Sequence, residues 1–101
     1  MARGADRYLE AEFGAPAAKC HGSNGVGDLI LPQSCRAPDA LPAWDKLYEI
    51  AKAAQGELVL VTVAPLTNIA LALQKHPDLP HWIKKIVMMG GSIGRGNITP
   101  Y

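Results

Sequence analysis

The sequence predicts an α/β protein built as an open, mainly parallel sheet with βαβ crossovers. Three observations carry that expectation. Residues 58–64 and 86–89 are apolar runs without polar alternation, the signature of strands buried on both faces of a parallel sheet. A helix-like segment, 66–75, separates the two runs, and a second precedes the first. Helix, strand, helix, strand at these lengths is the pattern of a right-handed βαβ crossover.

The elements follow in order. Residues 14–43 are rich in Gly, Pro, Ser and Asp and read as a long irregular region, the kind of loop that is either functional or unstructured. Within it, His21-Gly22-Ser23-Asn24-Gly25-Val26-Gly27-Asp28 places three glycines in six positions, which suits positive φ or a close approach of backbone to a ligand. From Asp39 the pattern turns helical. Asp39 can cap, Pro42 suits a first turn, and Leu41, Trp44, Leu47, Tyr48, Ala51 and Ala54 recur on one face until Gly56 stops the helix. The strand at 58–64 ends at Pro65. The helix at 66–75 is apolar nearly all round and closes before Pro77. A short turn at 80–85 leads into the strand at 86–89, ended by Gly90-Gly91. Ligands of open α/β sheets bind outside the carboxyl ends of the strands, so an active site should gather Val63-Ala64-Pro65 with Met89-Gly90-Gly91.

Composition narrows the function classes. The chain has 101 residues, 49% apolar and 19% charged, which supports one packed domain. A net charge of +1 provides no basic field for nucleic acid or an anionic membrane. The apolar run 58–66 is interrupted by Thr62 and Pro65 and falls short of the roughly 18–20 residues of a membrane span. The first residues lead into no apolar signal segment, and two cysteines, Cys20 and Cys35, make neither a disulfide framework nor a zinc site. A cytoplasmic chain is the expectation.

Residue chemistry alone yields no complete catalytic set. Gly90-Gly91-Ser92-Ile93-Gly94-Arg95-Gly96-Asn97 follows a strand, but it lacks the Gly-Lys-Ser/Thr ending of a phosphate loop and opens no evident helix, so a turn is the favoured reading. His21 beside Cys20 invites a Cys–His nucleophile, yet chain neighbours rarely face one another and no third group orients them. His76 and His81 flank prolines and read as surface residues. Thr67 and Asn68, at a strand-to-helix junction, read as caps. Asp28, Asp39 and Asp45 form no obvious acid–base couple.

Five segments together resemble a known family. Leu60-Val61-Thr62-Val63-Ala64-Pro65-Leu66-Thr67-Asn68-Ile69-Ala70-Leu71-Ala72 is similar to the "VGPLTNIALAL" segment of the inosine-uridine-preferring nucleoside hydrolases. Ile86-Val87-Met88-Met89-Gly90-Gly91 resembles their "IVxMGG", and Gly96-Asn97-Ile98-Thr99-Pro100 resembles the "GNxTP" that follows it. Gly4-Ala5-Asp6-Arg7 resembles "GAxxPL" with Tyr8 at the usual Pro, and His21 to Gly25 resembles "HGxxGL" with Val26 for Leu. The segments stand in family order and cover nearly the whole chain.

The resemblance implies an open-sheet enzyme that hydrolyses the N-glycosidic bond of purine or pyrimidine ribonucleosides, with a calcium ion activating the attacking water and holding the ribose 2′ and 3′ hydroxyls. It implies that Val63 offers its main-chain carbonyl to calcium, that Met89 packs under the ribose, and that Asn97 bonds the 5′ hydroxyl. His21 is implied near the nucleobase, assisting the leaving group, a role that varies within the family. The family's amino-terminal "DxDxGxDD" motif and its carboxyl-terminal part are not in these residues. The expectation is therefore a partial nucleoside hydrolase-like domain over 1–101 that binds no calcium tightly and turns over no nucleoside alone. Strands made for burial imply a homo-oligomer or an aggregating chain. The competing readings are a non-catalytic α/β binding or assembly module, favoured by an open sheet edge, and a nucleotide-binding module built on Gly90 to Gly96.

Overall fold

The computed structural model describes residues 1–10, 18–91 and 93–94. A single turn, α1 (Ala18–His21), precedes α2 (Ala43–Ala53), β1 (Leu58–Thr62), α3 (Thr67–Lys75), a 3-10 turn (Leu79–Trp82) and β2 (Ile83–Met88). The two strands pair in parallel, with α3 and the 3-10 turn as the crossover. The predicted βαβ order is therefore present.

The element limits moved for local reasons. β1 stops at Thr62, two residues before the end of the apolar run. β2 starts at Ile83 because that residue pairs with Leu58, so the expected turn at 80–85 is a 3-10 turn that ends at Trp82. Pro42 is the N-cap of α2, with extended backbone and no side-chain cap bond. Asp39 acts one step earlier: its Oδ1 accepts the Leu41 N–H at 3.1 Å, and Oδ2 meets Lys46 Nζ at 3.1 Å. At the far end, Gly56 adopts φ +86°, a left-handed turn that suits glycine.

The core is small and lies where the helices meet. Ala51 of α2, Ala72 of α3 and Leu79 of the 3-10 turn are fully buried, with Trp44, Leu47, Tyr48, Leu58, Trp82 and Ile83 packed around them. Two alanines at the crossing let α2 and α3 approach closely. Side chains alternate along β1, so Leu58, Leu60 and Thr62 face this layer and Val59 and Val61 face away.

Strands whose composition suits burial on both faces are covered on one face in this chain. Val59 is 50% exposed and Val61 61%, and Ile86, Val87 and Met88 of β2 are exposed as well. Among the described residues, helices cover one side of the sheet only. That layer also seats β1 better than β2, leaving a groove of roughly 300 Å³ between α3, the 3-10 turn and β2.

A polar network ties the helices together. His76 stacks on Tyr48, with ring centroids 3.9 Å apart and planes 4° from parallel. Asp45 bonds His76 Nε2 at 2.9 Å and Lys75 Nζ at 2.7 Å. The Tyr48 hydroxyl donates to Asp78 at 2.7 Å, and the Trp82 indole donates to the same carboxylate oxygen at 3.0 Å. Lys84 pairs with Glu57 at the start of the strands. His76 is thus half-buried and engaged, which corrects its reading as a surface residue; His81 is exposed, as expected.

Candidate functional site

The geometry of the sheet decides which residues meet. A register shift lies between Leu58 and Val59: Leu58 pairs with Ile83 and Val59 with Lys85. From there the strands run in step, ending with Thr62 opposite Met88. The Met89 N–H donates to the Thr62 carbonyl at 2.8 Å, so the ladder continues one residue past the strands. Val63 and Met89 therefore emerge side by side at the carboxyl ends, and each is 65% exposed. These are two of the residues the sequence pointed to. The groove under β2 is lined by Ile69, Leu73, Ile83 and Ile86 among others, includes neither of them, and is a separate feature on the helix-covered side.

His21 is exposed and closes α1. Its position is set locally: the His21 carbonyl accepts the Gly27 N–H at 2.7 Å. Asp28 Oδ1 accepts the Ser23 N–H at 2.7 Å and the Ser23 hydroxyl at 2.6 Å. Those bonds, the hydroxyl first, hold the Asp28 carboxyl below its ordinary value. Gly22 has φ +74°, and a Cβ there would stand 2.7 Å from the Asp28 nitrogen, so the loop needs glycine at this point. Cys20 and Cys35 are free thiols on the surface. Asn97 lies outside the described residues, as do Ser92 and the 95–96 stretch of the glycine-rich loop.

The capping roles expected of Thr67 and Asn68 are not what the structure shows. Leu66 is the N-cap of α3 and makes no side-chain cap bond. Asn68 Oδ1 instead accepts the Ala5 N–H at 2.8 Å, 63 residues away in the chain. Arg3 also pairs in parallel with Pro42, and its carbonyl accepts the Ala43 N–H at 2.8 Å. The amino-terminal segment is thereby strung between the starts of α2 and α3.

The donor set bears on metal binding. Among the described residues no group of three or more His, Cys, Asp or Glu side chains could hold an ion. Calcium takes six to eight oxygen ligands, so the Val63 main-chain carbonyl expected from the sequence would be one ligand among several.

Comparison with known proteins gives this geometry its setting. The family model for inosine-uridine preferring nucleoside hydrolases matches residues 1–101. The chain belongs to that family. It is 43% identical over 100 residues to the pyrimidine-specific ribonucleoside hydrolase RihA of Shewanella woodyi, covering 99% of this chain and 32% of that protein. It is 40% identical over 84 residues to the non-specific ribonucleoside hydrolase RihC of Klebsiella pneumoniae, covering 83% of this chain and 28% of the relative. The fold matches a purine-preferring ribonucleoside hydrolase from Gardnerella vaginalis with a TM-score of 0.86 at 35% identity, over 97% of this chain and 32% of that one. It matches the plant nucleoside hydrolase PpNRh1 with a TM-score of 0.87 at 30% identity, over 98% and 32%. The chain thus spans about a third of the length of these family members, and it carries an α/β portion of the nucleoside hydrolase fold.

Proposed function

We propose that this chain is the sugar-holding segment of a ribonucleoside hydrolase, acting on the N-glycosidic bond of purine or pyrimidine nucleosides. The observation that carries the reading is the parallel pairing that sets Val63 beside Met89 at the carboxyl ends of β1 and β2, within a chain matched end to end by the family. In this reading the Val63 carbonyl is one oxygen ligand of a calcium ion whose other ligands lie elsewhere in a complete enzyme. The ion, when bound, supplies an activated water and a hold on the ribose hydroxyls. Met89 lays an apolar, polarisable surface under the ribose, where an oxocarbenium-like charge develops without a competing hydrogen-bond donor. Asn97 hydrogen-bonds the 5′ hydroxyl, and His21 lies near the nucleobase and assists its departure.

The family's acidic motif, which would supply most of the calcium carboxylates, is not among these 101 residues, so the chain alone is expected to bind no calcium tightly and to show no steady turnover. Nucleoside salvage in the cytoplasm, in an assembly of several copies, is the setting the reading implies. Two assays test it. Steady hydrolysis of inosine or uridine by the purified chain would overturn the incomplete-site part. No turnover by a polypeptide that carries this segment at the relatives' full length would overturn the hydrolase reading itself. In that longer protein, Met89→Ala should raise KM for inosine by about tenfold, the loss of one well-packed apolar contact.

A non-catalytic assembly module is the second reading, and the exposed Val59–Val61 side of the sheet favours it. Concentration-dependent association with no nucleoside hydrolysis at full length would select it.

A further inference from the structure

Asn68 spends its side chain in an unexpected direction. A carboxamide in the first turn of a helix ordinarily bonds that helix's own free N–H groups. Here it crosses to the amino-terminal segment and accepts the Ala5 N–H at 2.8 Å. The approach is close enough that a side chain at residue 4 would push the Asn68 carboxamide aside. A Cβ on Gly4 would stand 2.9 Å from Asn68 Nδ2 and 3.2 Å from Oδ1. The far side of the same segment is held too: the Met1 carbonyl accepts the Asp39 N–H at 2.7 Å and the Arg3 carbonyl accepts the Ala43 N–H at 2.8 Å. Asn68 lies in the first turn of α3, which begins at the carboxyl end of β1, just past Val63.

We propose that Asn68 is a positioning residue: it docks the bare Gly4-Ala5 backbone onto the β1–α3 turn and makes the amino-terminal segment a fixed wall of the mouth at Val63. That the mouth receives a nucleoside rests on the hydrolase reading above; the clamp rests on the geometry alone. Gly4 and Asn68 form one device, since a methyl group at residue 4 displaces the amide that residue 5 needs.

The test is backbone amide exchange and chemical shift on the 101-residue chain. Asn68→Ala and Gly4→Ala should each make the Ala5 amide exchange about five- to tenfold faster, the protection lost with one hydrogen bond. They should also shift the Ala64 amide, which follows the Val63 carbonyl. Asn68→Asp keeps the accepting oxygen and should restore both signals. Gly4→Ala placed in the Asn68→Ala background should add nothing further. Unchanged Ala5 exchange in Asn68→Ala overturns the clamp, and so does failure of Asn68→Asp to restore it. Equal acceleration at every amide overturns it as well, because that marks a merely structural role. Nucleoside turnover at full length tests the hydrolase reading separately and moves none of these signals.

Discussion

Thr62 is the residue whose local chemistry is least settled by its neighbours. It is 8% exposed on the helix-facing side of β1, and its hydroxyl oxygen finds no partner among the described residues. An unpaired buried hydroxyl carries a desolvation cost of about 1–3 kcal/mol, so Thr62→Val should raise the unfolding free energy by about 1 kcal/mol in a urea titration. The Asp45 carboxylate presents the opposite case. The hydrogen bond from Lys75, then that from His76, holds its carboxyl below the usual 3.8. Asp78 is held down likewise, first by the Trp82 indole and then by the Tyr48 hydroxyl, which is itself pushed up by the same bond. A lowered folded value means that the stabilisation is complete above the unfolded value of 3.8 and is lost as pH falls through the folded one. The melting temperature should therefore stay level from about pH 7 to about pH 5 and fall below about pH 4. Asp45→Asn should lower the plateau and flatten the acid slope; a melt whose acid slope is unchanged in Asp45→Asn would remove Asp45 from the account.

At the scale of elements, the contact between α2 and α3 depends on small residues. Ala51 and Ala72 are both fully buried in the cluster where the helices meet. Ala72→Leu should cost about 1–3 kcal/mol through overpacking. Leu79→Ala should cost about 2–5 kcal/mol, because it empties the cluster from the other side. Both are read from equilibrium denaturation followed by tryptophan fluorescence, since Trp44 and Trp82 border the cluster. These elements were readable from sequence because their signals are local: an apolar stripe for α2, two unbroken apolar runs for the strands. The pairing of Val63 with Met89 was readable as well, since parallel strands bring like ends together. The roles of Asn68 and His76 were not. Each depends on a partner more than 30 residues away, Ala5 for one and Asp45 for the other, and no local pattern encodes such a meeting. The side of the sheet left uncovered could not be read, because a continuous apolar run records a strand's suitability for burial and does not say which part of the chain supplies the cover.

Across the whole molecule, the uncovered valines set the solution behaviour. Val59, Val61 and Val63 form an apolar row on one side of the sheet, and Val87 stands opposite Val61. Such a row favours association, as expected of a sheet with open edges. Val61→Lys should lower the apparent mass in sedimentation velocity at high protein concentration, whereas Ile50→Lys, at an exposed isoleucine on α2, should leave it unchanged. Equal behaviour of the two variants would show that the sheet face does not drive the association. The slip at Leu58 and Val59 bears on how this design withstands insertions and deletions. Lys84 is skipped there, and every later pair keeps its parity. Losing one residue before that slip could be absorbed by straightening the chain. Losing one after it would turn the rest of the strand over and send Met89's side chain to the wrong face.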